Sequence, residues 1–184
     1  MSTFYARSLN QSQLETLHLF CKEFSMNVEY INDHDLKFDV NVEERIRVYL
    51  NYDVFMADTG IKAWVIEGPS KDVLMKHALD FAQQQNIRKI LTLSELFIMA
   101  YQQKHTVLIQ DVRTLIKHVP DEMLKTADMY VLSQGNARLA AHELYLHRNT
   151  FNYRMKKFYD STMLDLRDPD IAYFYQWVRN VVDF

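Results

Sequence analysis

Between Asn10 and Phe24 the apolar residues Leu14, Leu17, Phe20, Cys21 and Phe24 recur at three- and four-residue intervals. That spacing predicts an amphipathic helix, with Asn10 or Ser12 available as its N-cap. The next stretch, NVEYINDHDLKFDV, places a polar turn, Asn32-Asp33-His34-Asp35, between two β-prone runs, and a hairpin is expected. Arg45 to Tyr52 alternates polar and apolar residues, which predicts a half-buried strand opened by Glu43-Glu44. A turn at Asp58-Thr59-Gly60 leads into a further strand from Ile61 to Ile66, ended by Gly68-Pro69. Ser70 is then expected to cap a helix to about Gln85, with Val73, Leu74, His77, Ala78, Phe81 and Ala82 inward.

From Ile87 onward the pattern is less decisive. Ser94 to Gln103 reads as a helix with Leu96, Phe97, Ala100 and Tyr101 on one side. Thr106 to Val119 fits either a strand followed by a helix or one helix, because Val107-Leu108-Ile109 has no clear period. Pro120 suits the first position of a new helix, with Asp121 and Glu122 favouring that end of the dipole. The expected fold class is therefore α+β: an N-terminal helix and antiparallel-strand region, followed by an all-α domain. The boundary is expected between Gln103 and Pro120, giving domains at about 1–110 and 111–184.

Within the second region the apolar stripe Met123, Leu124, Ala127, Tyr130, Val131 ends at Gly135, a residue suited to a left-handed C-cap. Asn136 can cap the next helix, ARLAAHEL, whose core face would use Ala137, Ala140, Ala141 and Leu144. The small Ala140-Ala141 pair permits two short helices to cross closely. Tyr145-Leu146 makes the turn, with Leu146 plugging the gap between helices. A third helix begins near His147 or Arg148 and directs Phe151, Met155 and Phe158 inward. Its opposite face carries Arg148, Asn149, Asn152, Tyr153, Lys156 and Lys157.

This is helix-turn-helix geometry, in which the later helix enters a major groove with its N-terminal residues toward base edges. Arg148 suits a bidentate pair with guanine and Asn149 suits adenine. Thr150, Arg154, Lys156 and Lys157 would hold phosphates and set register, and His147 would cap the helix or neighbour a phosphate.

Charge sharpens the picture. The chain carries a net −3, which argues against uniform coating of nucleic acid. From Ser133 to Asp160, however, Arg138, Arg148, Arg154, Lys156 and Lys157 face only Glu143 and Asp160. That stretch is locally basic, while the remainder is acidic.

Other chemistries find little support. Nearly half of the 184 residues are apolar (48%) and 24% are charged, a composition that is neither disordered nor membrane-embedded. No apolar run approaches the roughly 18–20 residues a membrane span needs. The opening MSTFYARSLNQSQ does not read as a secretory signal, so a cytoplasmic location is expected. Only Gly60, Gly68 and Gly135 occur, too scattered for a phosphate-cradling loop. Lone Cys21 forms no disulfide framework and is expected as a buried structural thiol.

His142 and His147 fall on different helices without a carboxylate or cysteine placed to complete a metal site. Asp33-His34-Asp35 reads as a polar turn more readily than as a cation site. Glu43-Glu44 on a strand would point to opposite faces, and Asp168-Pro169-Asp170 reads as a helix start. No catalytic residue, metal or cofactor is therefore expected. The aromatic last helix, with Tyr173, Phe174, Tyr175, Trp177, Val178 and Val181, is expected to close the C-terminal core, a dimer surface being the alternative.

The string GNARLAAHELYLHRNTFNYRMKKF, followed by LDLRDPDIAYFYQWV, resembles the C-terminal helix-turn-helix of PucR/CdaR-type bacterial transcriptional regulators. Gly135-Asn136, Ala140-Ala141, Leu144, His147 to Thr150, Tyr153-Arg154, Leu164-Asp165-Leu166 and Asp168-Pro169 carry the resemblance, which covers about a third of the chain. The unit is also similar to the DNA-binding end of the nucleoid protein Fis. The resemblance implies that Arg148 and Asn149 face the groove and that Asn136, Thr150, Tyr153 and Arg154 lie near the backbone. Two positions depart from the family pattern: Asn152, often basic there, and Met163, near which a glycine is common.

The expectation is a sequence-specific regulator that binds double-stranded DNA as a homodimer. Its N-terminal region would serve dimerisation, the sensing of a small effector, or both. The competing expectations are a helix-turn-helix that contacts protein instead of DNA, and an enzyme built on the N-terminal region.

Overall fold

The computed structural model describes residues 2–25 and 27–181. The chain divides into two compact units, Met1–Ala100 and Tyr101–Phe184.

The first unit is built around β1 (Ser2–Ser8), a strand that the hydrophobic pattern did not signal. Its residues from Phe4 to Ser8 are all buried, the polar Arg7 and Ser8 included, so neither face is left to solvent there. Helix α1 (Gln11–Phe24) follows, capped by Asn10, whose side chain accepts from the Gln13 N–H. The expected hairpin forms from β2 (Val28–Tyr30) and β3 (Asp35–Val40), paired antiparallel. Asn32 Oδ1 accepts from the His34 and Asp35 amides and so closes its turn.

The predicted strand over Arg45–Tyr52 is not a strand. Those residues lie in α2 (Val42–Thr59), an 18-residue helix. Asn41 caps it by accepting from the Glu44 N–H, and Glu43 and Glu44 sit in its first turn. Gly60 ends it at φ 65°, in the left-handed region that glycine enters without a Cβ clash. The apparent alternation arises because Val48 and Tyr52, one helical turn apart, are buried while Ile46 and Leu50 face solvent.

Next come β4 (Ala63–Gly68) and α3 (Asp72–Gln84). Lys71, not Ser70, occupies the N-cap of α3. Val73 was expected inside but is 69% exposed, whereas Leu74, Ala78, Phe81 and Ala82 are buried as read, with Met75 and Leu79 beside them. Strand β5 (Leu91–Thr92) leads directly into α4 (Leu93–Gln102), where Leu96, Phe97 and Ala100 are buried.

The sheet order is β2-β3-β1-β4-β5. β1 pairs antiparallel with both β3 and β4, and β5 adds in parallel to β4. The fold is thus α+β, with one parallel pair at the edge. One face, with Phe4, Ala6, Leu36, Phe38 and Val65, shares a core with Leu17, Phe20 and Cys21 of α1 and Val48 and Tyr52 of α2. From the other face, Tyr5 Oη donates to Asp72 at 2.6 Å and the Arg7 guanidinium donates to Asp80, both on α3.

The second unit is helical. Thr106–Lys117 forms one helix, α5, that runs without a break past residue 110 and buries Leu108, Val112 and Ile116. It is followed by α6 (Asp121–Leu132), α7 (Ala137–Glu143), α8 (Arg148–Thr162) and α9 (Pro169–Val181). Asp168 Oδ1 accepts from the Asp170 N–H at the start of α9.

The aromatic helix α9 turns Phe174, Tyr175 and Val178 into the core. Asp128 on α6 accepts from Tyr175 Oη at 2.7 Å and from Arg179 Nη2 at 3.0 Å, which fixes α9 against α6. Among the described residues, no helix is long and apolar enough to cross a membrane.

Candidate nucleic-acid interface

Three helices, α6, α7 and α8, build the candidate site. Helix α6 is followed, after its C-cap Ser133, by two left-handed residues, Gln134 (φ 53°) and Gly135 (φ 78°). The Gly135 amide turns back to the Tyr130 carbonyl at 3.0 Å, satisfying a helix-terminal acceptor. Asn136 then caps α7, its side chain accepting from the Leu139 N–H at 3.0 Å.

Ala140 and Ala141 are buried, as the close crossing requires. Ala137, expected in the core, is exposed, and Leu144 and Leu146 are half-buried. The next turn places Tyr145 in the left-handed region at φ 53°. The Leu146 amide reaches the Ala141 carbonyl at 2.9 Å, repeating the closure seen after α6. His147 caps α8 by accepting from the Asn149 N–H at 3.2 Å.

Phe151 and Phe158 anchor α8, Phe151 beside Tyr130 with ring centroids 6.2 Å apart and Phe158 edge-on to Tyr175 at 5.2 Å. Met155 is half-buried between them. The outer side chains Arg148, Asn149, Asn152, Tyr153, Lys156 and Lys157 are all exposed. At about 100° per residue, the first five of these span roughly 140° of the helix surface, a continuous polar face. Lys156 Nζ lies 3.1 Å from Asp160, and Lys157 Nζ sits over the Tyr153 ring, 6 Å or less from its centroid (5.9 Å). Thr150, Asn136 and Arg138 are also exposed.

Arg154 differs from the rest. Its side chain is mostly covered and Nη2 donates to Glu122 Oε2 on α6 at 2.8 Å. Sequence reasoning placed Arg154 among the phosphate ligands; the structure occupies it with a carboxylate 32 residues earlier. Tyr145, read from the sequence only as part of a turn, is 96% exposed, the most of the large apolar and aromatic residues among those described. Met163, near which a glycine is common in the resembled family, is the left-handed C-cap of α8 at φ 59°.

His142 lies on α7 beside Glu143, and His147 is committed to its cap. Among the described residues, no three His, Cys, Asp or Glu side chains converge as a metal site would require.

Two short helices crossing over an alanine pair, the second presenting a basic and amide-rich outer face, define a helix-turn-helix unit. Residues 123–176 match the PucR C-terminal helix-turn-helix domain, and the chain carries this domain. It is 43% identical over 47 residues to the proline-responsive transcriptional activator PutR of Bacillus subtilis (strain 168), a match covering 26% of this chain and 11% of PutR. It is also 26% identical over 95 residues to the uncharacterized protein YxkF of the same organism, covering 50% of this chain and 32% of YxkF. The chain thus spans a third or less of the length of these curated relatives. Among solved structures it is similar to a regulator of polyketide synthase expression from Bifidobacterium adolescentis, at 14% identity and a TM-score of 0.47 over 98% of this chain and 78% of that one.

Proposed function

We propose that this chain is a transcriptional regulator, without catalytic activity, that binds double-stranded DNA in the cytoplasm through α7 and α8. The observation that carries the reading is the exposed face of α8, led by Arg148 and Asn149 directly after the His147 cap. In this reading the first turn of α8 lies in the major groove. Arg148 pairs with guanine N7 and O6, and Asn149 with adenine, each worth about 1–3 kcal/mol of discrimination.

Asn136, Arg138, His147, Thr150, Asn152, Tyr153, Lys156 and Lys157 flank that turn and approach the sugar–phosphate backbone. Arg154 joins them only when Glu122 releases it. The match to the PucR-type domain and the likeness to a transcriptional activator support the same reading.

A single unit of this size touches few base pairs. A homodimer on an inverted repeat, with half-sites about one helical turn apart, supplies the missing specificity. The N-terminal unit is the candidate for dimerisation or for sensing a small effector. A cavity of about 540 Å³ there is lined by Arg7, Asp35, His34, Lys76 and Gln83, so an effector held in it would be polar.

The test is binding to duplex DNA across a salt titration. Phosphate contact requires log K to fall with log salt at about −0.9 per neutralised phosphate. Arg148→Ala should abolish preference for the selected site while the unfolding transition stays in place, and Lys156→Ala should weaken all sequences alike. A protein indifferent to DNA at low ionic strength would instead have a helix-turn-helix that contacts protein.

A further inference from the structure

We propose that Tyr145 is a further DNA-contacting residue, which meets the sugar–phosphate backbone beside the groove entered by α8. The inference rests on the DNA-binding reading above and extends it to a residue that the reading did not use.

The turn between α7 and α8 needs a left-handed residue so that the Tyr145 amide can reach the His142 carbonyl (3.0 Å) and the Leu146 amide the Ala141 carbonyl (2.9 Å). Glycine adopts this conformation without penalty, and asparagine tolerates it; an aromatic L-residue crowds its Cβ against the following carbonyl. Asn86 takes the same conformation after α3 and Gln134, followed by Gly135, after α6, while Lys104 and Met163 take it after α4 and α8. After α7 the residue is tyrosine, at φ 53°.

Strain of this kind persists where something repays it. A buried ring would repay it through packing, but the Tyr145 side chain is 96% exposed and rests on almost none of the protein. Within the chain, the ring brings a conformational cost and returns no burial.

What sets Tyr145 apart from the other left-handed residues is a large aromatic ring left almost wholly in solvent, and its position says which partner would cover it. Tyr145 stands two residues before the His147 cap and three before Arg148, at the edge of the proposed groove-facing surface. Its phenol can donate to a phosphate oxygen while the ring covers a deoxyribose, a sequence-independent contact of a kind tyrosine makes to DNA. The same left-handed turn that strains the backbone holds this side chain out from the helices.

Tyr145→Gly and Tyr145→Asn should melt at or above the wild-type temperature, because each accepts the left-handed turn. Each should bind a random-sequence 40-base-pair duplex at low salt about tenfold more weakly, while Tyr145→Phe loses part of that. The salt slope should stay unchanged in all three, since a neutral group displaces no counterion. Three results overturn the proposal. If wild type and Arg148→Ala both ignore the duplex, the DNA-binding reading fails with it. If wild type binds, Arg148→Ala loses its site and the Tyr145 variants bind normally, only Tyr145 has been misplaced. If affinity and melting temperature fall together, the ring supports the turn instead.

Discussion

Arg154 Nη2 donates to Glu122 Oε2 at 2.8 Å, tying the middle of α8 to the first turn of α6. The carboxylate is more than half exposed, so the pair contributes little to stability, about 0.2–1 kcal/mol as surface pairs do. Its consequence is for binding, because a guanidinium held by a carboxylate is withheld from a phosphate. Glu122→Ala should leave the urea midpoint nearly unchanged and steepen the salt dependence of DNA binding by about 0.9, one phosphate contact. An unchanged slope would mean that Arg154 is out of reach of the backbone and serves only to brace α8.

That pair also marks where sequence reading stops. The helix-turn-helix was legible because its signals are local: Asn136 and His147 as caps, Ala140-Ala141 at the crossing, Phe151 and Phe158 seven residues apart on the inner face. Helix α1 and the β2–β3 hairpin were legible for the same reason. Strand β1 was not, since a central strand buried on both faces shows no alternation. Helix α2 was misread because a short alternating run mimics a strand until its caps, Asn41 and Gly60, are weighed. Tyr145 gave no warning, because left-handed turns are signalled by glycine or asparagine and it is neither; Met163 was marked only by the family's nearby glycine.

The buried pair of the N-terminal unit predicts acid sensitivity. Arg7 donates to Asp35 through both Nε (2.6 Å) and Nη2 (2.9 Å), and Asn32 adds a third donor. Burial alone would raise the Asp35 pKa, but these bonds outweigh it and hold the carboxyl below its ordinary value. A depressed carboxylate contributes stability that is present above its unfolded pKa, about 3.9, and is lost as pH falls through the folded value. The urea midpoint of the wild type should therefore drop as pH falls below about 4. Asp35→Asn should lose about 1–3 kcal/mol at neutral pH, because Arg7 then keeps only the more exposed Asp80 as its countercharge. Its midpoint should also be flatter with pH in the acid window; an equal acid slope in both proteins would rule out Asp35 as the source.

Cys21 lies in the core shared by α1, α2 and the sheet, fully buried, and burial pushes its thiol far above the ordinary range. A thiol in that state offers no thiolate to a reagent. Dithionitrobenzoate at pH 8 should label the native protein no faster than it unfolds and label it at once in denaturant. Rapid native-state labelling would contradict the packing of α1 on the sheet.

Gly135 and Tyr130 set the spacing between α6 and α7. The Gly135 amide donates to the Tyr130 carbonyl at 3.0 Å with the glycine at φ 78°, and a Cβ added there would meet Tyr130 Oη at 3.5 Å. That contact is ordinary, so the cost of Gly135→Ala is the left-handed backbone alone, about 1–2 kcal/mol. Equilibrium urea unfolding, followed by far-ultraviolet circular dichroism, should show a loss of that size. Gly135→Asn, which tolerates the same backbone, should recover part of it. If alanine and asparagine were equally harmful, steric crowding against Tyr130 and not backbone conformation would govern the turn, and α7 would then have to shift relative to α6 to admit any side chain at residue 135.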